Sequence, residues 1–324
     1  MLATRAPLTV DLPLDPNTIV VTDLLKRYKG AELNAVDGIS FSVKAGELFA
    51  LLGPNGAGKT TTISILTTTL APTSGSAIIG GHDLASDPSA VRRAVGIIFQ
   101  KPSLDLNLTA EENVRLHAIL YGLFPYRPFF ALMPVAYRDR VRELSAILGI
   151  EREMFKPVKT FSGGMKRKLE IVRSLMHRPR VLFLDEPTAG LDAASRRALW
   201  DYLREVRAET RATVFLTTHY LDEAEDADRI CILDKGRIVA EGSPASVKQD
   251  LTHEYVVVDA ADRDALRREL VSRGIEHRET PLFEIPAGSA GVHALLRSIE
   301  TPLTAVRTVA PSLEDAYLKV LARS

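Results

Sequence analysis

Sulfur chemistry is almost missing from the 324 residues. The single cysteine, Cys231, excludes an intrachain disulfide framework. Inside the apolar run Ile230-Cys231-Ile232-Leu233 it reads as a core thiol, in keeping with a reducing cytoplasm. Charge of one sign is missing too: Lys+Arg and Asp+Glu both number 41, so no overall basic field draws the chain onto nucleic acid or an anionic membrane. No nucleic-acid partner is expected. No apolar run approaches the roughly 20 residues that a membrane span requires. The opening MLATRAPLTVDLPLDP has acids and prolines where a signal peptide needs an unbroken apolar stretch. A role at a membrane would then run through a partner. Internal repeats and low-complexity segments are also lacking.

The composition is otherwise that of a globular protein, 46% apolar and 25% charged, long enough for one large domain and a small one. Residues 1–18, with Pro7, Pro13 and Pro16, read as a flexible arm. Apolar alternation at Ile19-Val20-Val21 and from Ile39 to Val43 predicts half-buried antiparallel strands. The continuous apolar runs Leu48 to Leu52, Val181 to Leu184 and Val214 to Leu216 predict parallel strands buried on both faces. Helical spacing of Asn113, Leu116, Ile119 and Leu120, then of Val141, Leu144, Ile147 and Leu148, predicts a helical insertion within about 101–164. Inside it, Pro125, Pro128 and Pro134 predict a helix-free aromatic loop over 124–138. From about 250 the pattern restarts with EYVVVDA as strand, a helix stopped by Gly274, LFEI as strand, VHALLRSI as helix, LTAVRTV as strand and SLEDAYLKVL as helix. A small appended α/β domain over 250–324 accounts for it.

Residues 53–60, GPNGAGKT, place Gly53, Gly58, Lys59 and Thr60 in the spacing G-x-x-x-x-G-K-[ST], between the strand LFALL and a helix that continues through Thr61. Glycines let backbone N–H groups curl around phosphates, and a helix N-terminus adds a favourable dipole. Lys59 would then reach the β- and γ-phosphates, and the Thr60 hydroxyl would ligate Mg²⁺. Alone, the pattern also describes an empty glycine-rich turn. VLFLDE sets Asp185 and Glu186 at the carboxyl end of a buried strand, where open α/β sheets bind ligands. Asp185 suits a Mg²⁺ carboxylate, held directly or through water, and Glu186 a base or positioner for attacking water. VFLTTH leaves His219 at the end of another such strand, suited to a γ-phosphate, although a lone histidine is more often structural.

With GIIFQ, FSGG and TAGLD added in that order, residues 19–245 resemble the nucleotide-binding subunit of ATP-binding cassette (ABC) transporters. The resemblance implies a P-loop NTPase fold: a RecA-like core with an antiparallel β subdomain and an α-helical insertion, here followed by the small C-terminal α/β domain. It implies ATP and Mg²⁺ as cofactors. It also implies that Tyr28 of KRYKG stacks on adenine, that Gln100 senses Mg²⁺ and the attacking water, and that Asp192 lies in a loop communicating across a dimer. In that dimer, homomeric or heteromeric, each nucleotide lies between one subunit's P-loop and the other's Ser162-Gly163-Gly164. The implied nucleotide-binding set is Tyr28, Gly53, Pro54, Asn55, Gly56, Ala57, Gly58, Lys59, Thr60, Thr61, Ser162, Gly163, Gly164 and Asp192. The implied catalytic set is Lys59, Gln100, Glu186 and His219, and the metal set Thr60, Gln100 and Asp185.

Physically, Ser162 makes a helix N-cap for a helix whose buried face carries Met165, Leu169 and Val172. The segment departs from the commonest family wording, LSGGQ, at Phe161 and Met165, and a Met there cannot hydrogen-bond as Gln could. SGGM with its basic continuation, and PSLEDAYLKV, are similar to daunorubicin-resistance-like ABC-2-type exporter ATPases. That resemblance implies an ATPase peripheral to the cytoplasmic side of the cell membrane, driving a separate transmembrane permease. The competing readings are a soluble ABC ATPase acting on DNA or ribosomes, which resemble proteins with long coiled-coil insertions or two cassettes, and a non-hydrolysing regulatory subunit. Neither coiled coil nor second cassette is visible, and Gln100, Glu186 and His219 are all present. The transported molecule is not written in this chain.

Overall fold

A computed structural model describes residues 17–99, 103–188, 191–251, 255–286, 291–309 and 312–323. The chain divides into two compact units, residues 17–220 with 233–238, and residues 221–232 with 239–323.

In the first unit, alternating burial builds an antiparallel sheet of β1 (Asn17–Lys26), β2 (Val36–Lys44), β4 (Ser74–Ile79) and β5 (His82–Asp83), in the order β2-β1-β4-β5. The continuous apolar runs become β3 (Leu48–Leu52), β7 (Val181–Asp185) and β8 (Thr213–Thr218), every residue buried. Together with β6 (Val95–Ile98) they lie in parallel, in the order β6-β7-β8-β3. Because they are parallel, their carboxyl ends share one edge. Phe41, Phe49, Phe215 and Phe183 form a row of rings 5.3–5.5 Å apart that joins β2 to three of these strands. Helices α1 (Lys59–Leu66), α2 (Pro88–Ala94), α5 (Gly163–Leu175) and α6 (Ala193–Thr210) complete the core, α1 packing on β7 and α5 on β6.

The insertion carries α3 (Ala110–Leu120), opened by a full Thr109–Glu112 capping box, and α4 (Val135–Ile147). The aromatic stretch differs from expectation at its end. Val135 to Arg138 form the first turn of α4, with Pro134 at the cap accepting from the Tyr137 and Arg138 N–H groups at 3.1 and 3.2 Å. A proline at a helix start gives up no hydrogen bond, which is why the third proline begins a helix. The loop before it is held by Arg115, whose Nη1 donates to the carbonyls of Arg127 and Pro128 while Nε donates to Glu111. Tyr137 donates to the same Glu111 at 3.0 Å. Phe124 and Phe130 pack edge-on against Tyr137, but Tyr126 and Phe129 stay 63% and 68% exposed.

The second unit contains α7 (Leu221–Glu225) and α8 (Pro244–Leu251), and most of the strands β9 (Arg229–Asp234) and β10 (Arg237–Gly242). Cys231 is buried there, and burial pushes its thiol pKa up, as a core thiol requires. Beyond them β11 (Tyr255–Ala260), β12 (Arg278–Thr280), β13 (Leu282–Pro286) and β14 (Leu303–Val309) form an antiparallel sheet ordered β12-β13-β11-β14, with α9 (Arg263–Ser272) following β11 and α10 (Gly291–Arg297) following β13 in the chain. Val256, Val258, Phe283 and Ile285 face Leu266 and Leu270 in its core. Helix α11 (Leu313–Arg323) starts with the Ser312–Asp315 capping box.

Candidate nucleotide site

The glycine positions of the P-loop are dictated by close approach. A Cβ on Gly53 would stand 2.3 Å from the Leu233 carbonyl oxygen, and one on Gly58, at φ +108°, 2.3 Å from that of Ala35. A buttressing turn lies beneath them: Lys235 and Gly236 both have positive φ, and Gly236 donates its N–H to Ala57 O at 3.0 Å. The loop closes internally as Ala57 N–H donates to Pro54 O, while Asn55 and Gly56 stay exposed. Gly58, having no side chain, leaves the first N–H groups of α1 uncapped, and no acid occupies its first turn. That end of the helix is suited to an anion. Lys59, 5% exposed, reaches back to donate to Gly53 O at 2.6 Å and Pro54 O at 3.1 Å. Burial lowers its pKa, and the nearby Glu186 and Asp185 oppose that shift.

Asp185 closes β7 on the same edge. Its buried carboxylate accepts from Thr217 Oγ1 at 2.6 Å and from the Thr60 hydroxyl. Burial raises its pKa, and the Thr217 bond is the chief opposing effect. Glu186 follows with φ +46°, a left-handed backbone rare outside glycine, and its N–H is shared between Thr217 O and Oγ1, both at 3.1 Å. Its carboxylate lies 3.2 Å from His219 Nδ1. The imidazole in turn lies against Tyr220, 4.1 Å between ring centroids, and the Arg196 guanidinium lies over the Tyr220 ring, 4.9 Å from its centroid. Lys59, Thr60, Asp185, Glu186 and His219 are thereby brought to one sheet edge. Tyr28 lies just past the end of β1 rather than in a strand, largely exposed, with its hydroxyl 3.3 Å from Thr61 Oγ1.

Ser162 caps α5 by accepting the Met165 N–H at 3.3 Å. A Cβ at Gly163 would meet nothing within 4 Å, so the helix start is open. Leu169 and Val172 are buried as the periodicity predicts, whereas Met165 is half-buried. Asp192 stands exposed immediately before α6, its carbonyl accepting the Arg196 N–H at 2.9 Å. Gln100 lies outside the described residues. Sequence reasoning missed Thr217 and the buried pair Arg167 and Glu170. The first had a signal, two threonines ending an otherwise apolar strand. The pair had one as well, opposite charges three residues apart within a helix otherwise apolar on that side.

The chemistry of the donor set suits a nucleotide. Backbone N–H groups and a buried ammonium complement phosphates, and a hydroxyl beside a carboxylate complements a hard divalent cation. Residues 36–189 match the sequence model of the family described as ABC transporter. The chain is 40% identical over 272 residues to the doxorubicin resistance ATP-binding protein DrrA of Mycobacterium tuberculosis, covering 83% of this chain and 79% of that one. It is 36% identical over 315 residues to the Nod factor export ATP-binding protein I of Ralstonia nicotianae, covering 94% and 93%. Among solved structures it resembles an ATP-binding subunit of an ABC transporter, at 34% identity and TM-score 0.63 over 72% of this chain and 92% of that chain. It also resembles a dimeric ATP-binding cassette in a post-hydrolysis state with ADP and Pi, at 29% identity and TM-score 0.61 over 69% and 98%. The chain belongs to the ABC transporter family, as an ATP-binding subunit that hydrolyses ATP.

Proposed function

We propose that this ATPase drives export, dimerising around two Mg-ATP and working on a separate ABC-2-type permease from the cytoplasmic face of the membrane. The observation that carries the reading is the convergence of Lys59, Asp185, Glu186 and His219 at one sheet edge, beside a helix cradle that leaves its N–H groups for phosphate. Loop amides and Lys59 bind and orient the phosphates, Glu186 takes or orients the proton of the attacking water, and His219 steadies the γ-phosphate. Thr60 and Asp185, with Gln100, would hold Mg²⁺, which would neutralise phosphate charge when bound. Tyr28 provides the adenine stack. Ser162, Gly163 and Gly164 complete the partner's site and Asp192 communicates across it.

Export follows the relatives, one named for doxorubicin resistance and one for Nod factor export. Among the described residues no helix is long and apolar enough to cross a membrane, so a permease supplies the path. Tyr126 and Phe129, exposed on the loop that Arg115 holds, offer that permease an apolar docking surface. The division into a cassette over 19–245 and an accessory domain over 250–324 belongs to the same reading. The decisive experiment replaces Glu186 with Gln: hydrolysis should fall by orders of magnitude while ATP still binds and locks a dimer. Undiminished turnover would remove Glu186 from its role.

A further inference from the structure

One turn past the open start of α5, the helix buries a charge pair that the nucleotide chemistry above does not use. Arg167 is 6% exposed and Glu170 1% exposed. Arg167 Nε donates to Pro187 O at 3.0 Å, Nη2 to Asp185 O at 3.4 Å, and Nη1 to Phe99 O and, at 3.1 Å, to Glu170 Oε2. Glu170 Oε1 accepts the Ser103 N–H at 3.0 Å. One guanidinium therefore binds the backbone on both sides of Glu186. It also binds the residue before Gln100, and its carboxylate partner binds the next described residue after it. A planar fork with five donors serves three carbonyls and a carboxylate from fixed directions, a set that the three donors on a lysine's single nitrogen do not reproduce. Packing alone would be met as well by apolar side chains of similar volume.

We propose that Arg167, held by Glu170, is a positioning residue that sets the Glu186 turn and the Gln100 segment from the helix bearing Ser162, Gly163 and Gly164. Movement of that helix start is thereby passed to the hydrolytic turn of the same chain. This rests on the role proposed for Glu186. The test measures kcat, KM and the affinity for a fluorescent ATP analogue in Arg167→Lys, in the paired apolar variant Arg167→Met with Glu170→Leu, in Glu186→Gln, and in Glu186→Gln combined with Arg167→Lys. The expected result is folded protein with analogue affinity near parental and kcat down about 10- to 100-fold, because small displacements at a reacting centre cost that much. The combined variant should be no slower than Glu186→Gln alone, since both changes act on one group. Parental kcat in either folded Arg167 variant overturns the proposal. So does a fall in affinity parallel to kcat, or failure of both variants to fold, each assigning the pair to stability alone. Parental turnover in Glu186→Gln instead overturns the role of Glu186, so the two failures are told apart.

Discussion

Thr217 offers the sharpest test of how the fold builds the site. It is fully buried at the carboxyl end of β8, its hydroxyl donating to Asp185 at 2.6 Å and accepting from the Glu186 N–H at 3.1 Å. Thr217→Val keeps the shape and removes both bonds. A hydrogen bond to a charged group contributes about 1.5–3 kcal/mol, and the Glu186 N–H retains Thr217 O as an acceptor, so the cost centres on about 2 kcal/mol. For a unit of this size that lowers the melting temperature by about 4–8 °C. Thr217→Ser is the control, losing a buried methyl for about 1 kcal/mol while keeping the hydroxyl. Thermal melting and steady-state ATP hydrolysis should therefore separate. Serine should keep near-parental turnover, and valine should lose about 10-fold because the Asp185 carboxylate and the Glu186 backbone N–H lose their common anchor. Valine with parental melting and turnover would refute the argument that Thr217 organises Asp185 and Glu186.

The remaining expectations follow from the same geometry. Gly58→Ala puts a Cβ 2.3 Å from a backbone oxygen that cannot rotate away, so analogue binding should be lost together with about 1–3 kcal/mol of stability in urea denaturation. Gly163→Ala meets open space, so the isolated chain should fold and bind ATP normally and fail only in ATP-driven dimerisation, read by light scattering. His117 is held neutral by burial first, then by Arg173 and His177, with its pKa pushed down to about 3. Below about pH 6.5 the unfolded chain takes up a proton that the folded chain refuses, so the stability present above 6.5 is lost as pH falls. The slope is up to about 1.4 kcal/mol per pH unit, and His117→Phe should flatten it in urea midpoints taken between pH 7.5 and 5.5. Ser312→Ala removes the cap of α11 and should cost about 1 kcal/mol by the same assay.

What the sequence disclosed was chemistry that is contiguous in the chain. GPNGAGKT, VLFLDE and LTTH each carry their donors within a few residues, and the parallel runs that hold them are apolar on both faces, a pattern needing no partner to be read. The short strands β4, β5 and β6 escaped because their burial alternates or is brief, and β12 because three residues set no period. Thr217, Arg167 and Glu170 escaped for a different reason. Apart from the ion pairs within α5, their partners lie 18 or more residues away in the chain, as in Thr217 to Asp185 and Arg167 to Phe99, and such pairing is a property of the folded core. The turn at Lys235 and Gly236 is similar, since its effect is felt at Gly53 and Gly58.

The two glycine-containing helix starts differ in their surroundings. At α1 the cradle is finished by its own chain. Leu233 and Ala35 carbonyls crowd Gly53 and Gly58, and Lys59 is folded back onto loop carbonyls. At α5 Ser162 already satisfies one N–H, and the space over Gly163 is open. A helix end alone is too little to fix a polyphosphate. The open start is in keeping with the proposal that another subunit's phosphates complete it. Arg167, one turn along the same helix, is where such an arrival would first be felt by Glu186.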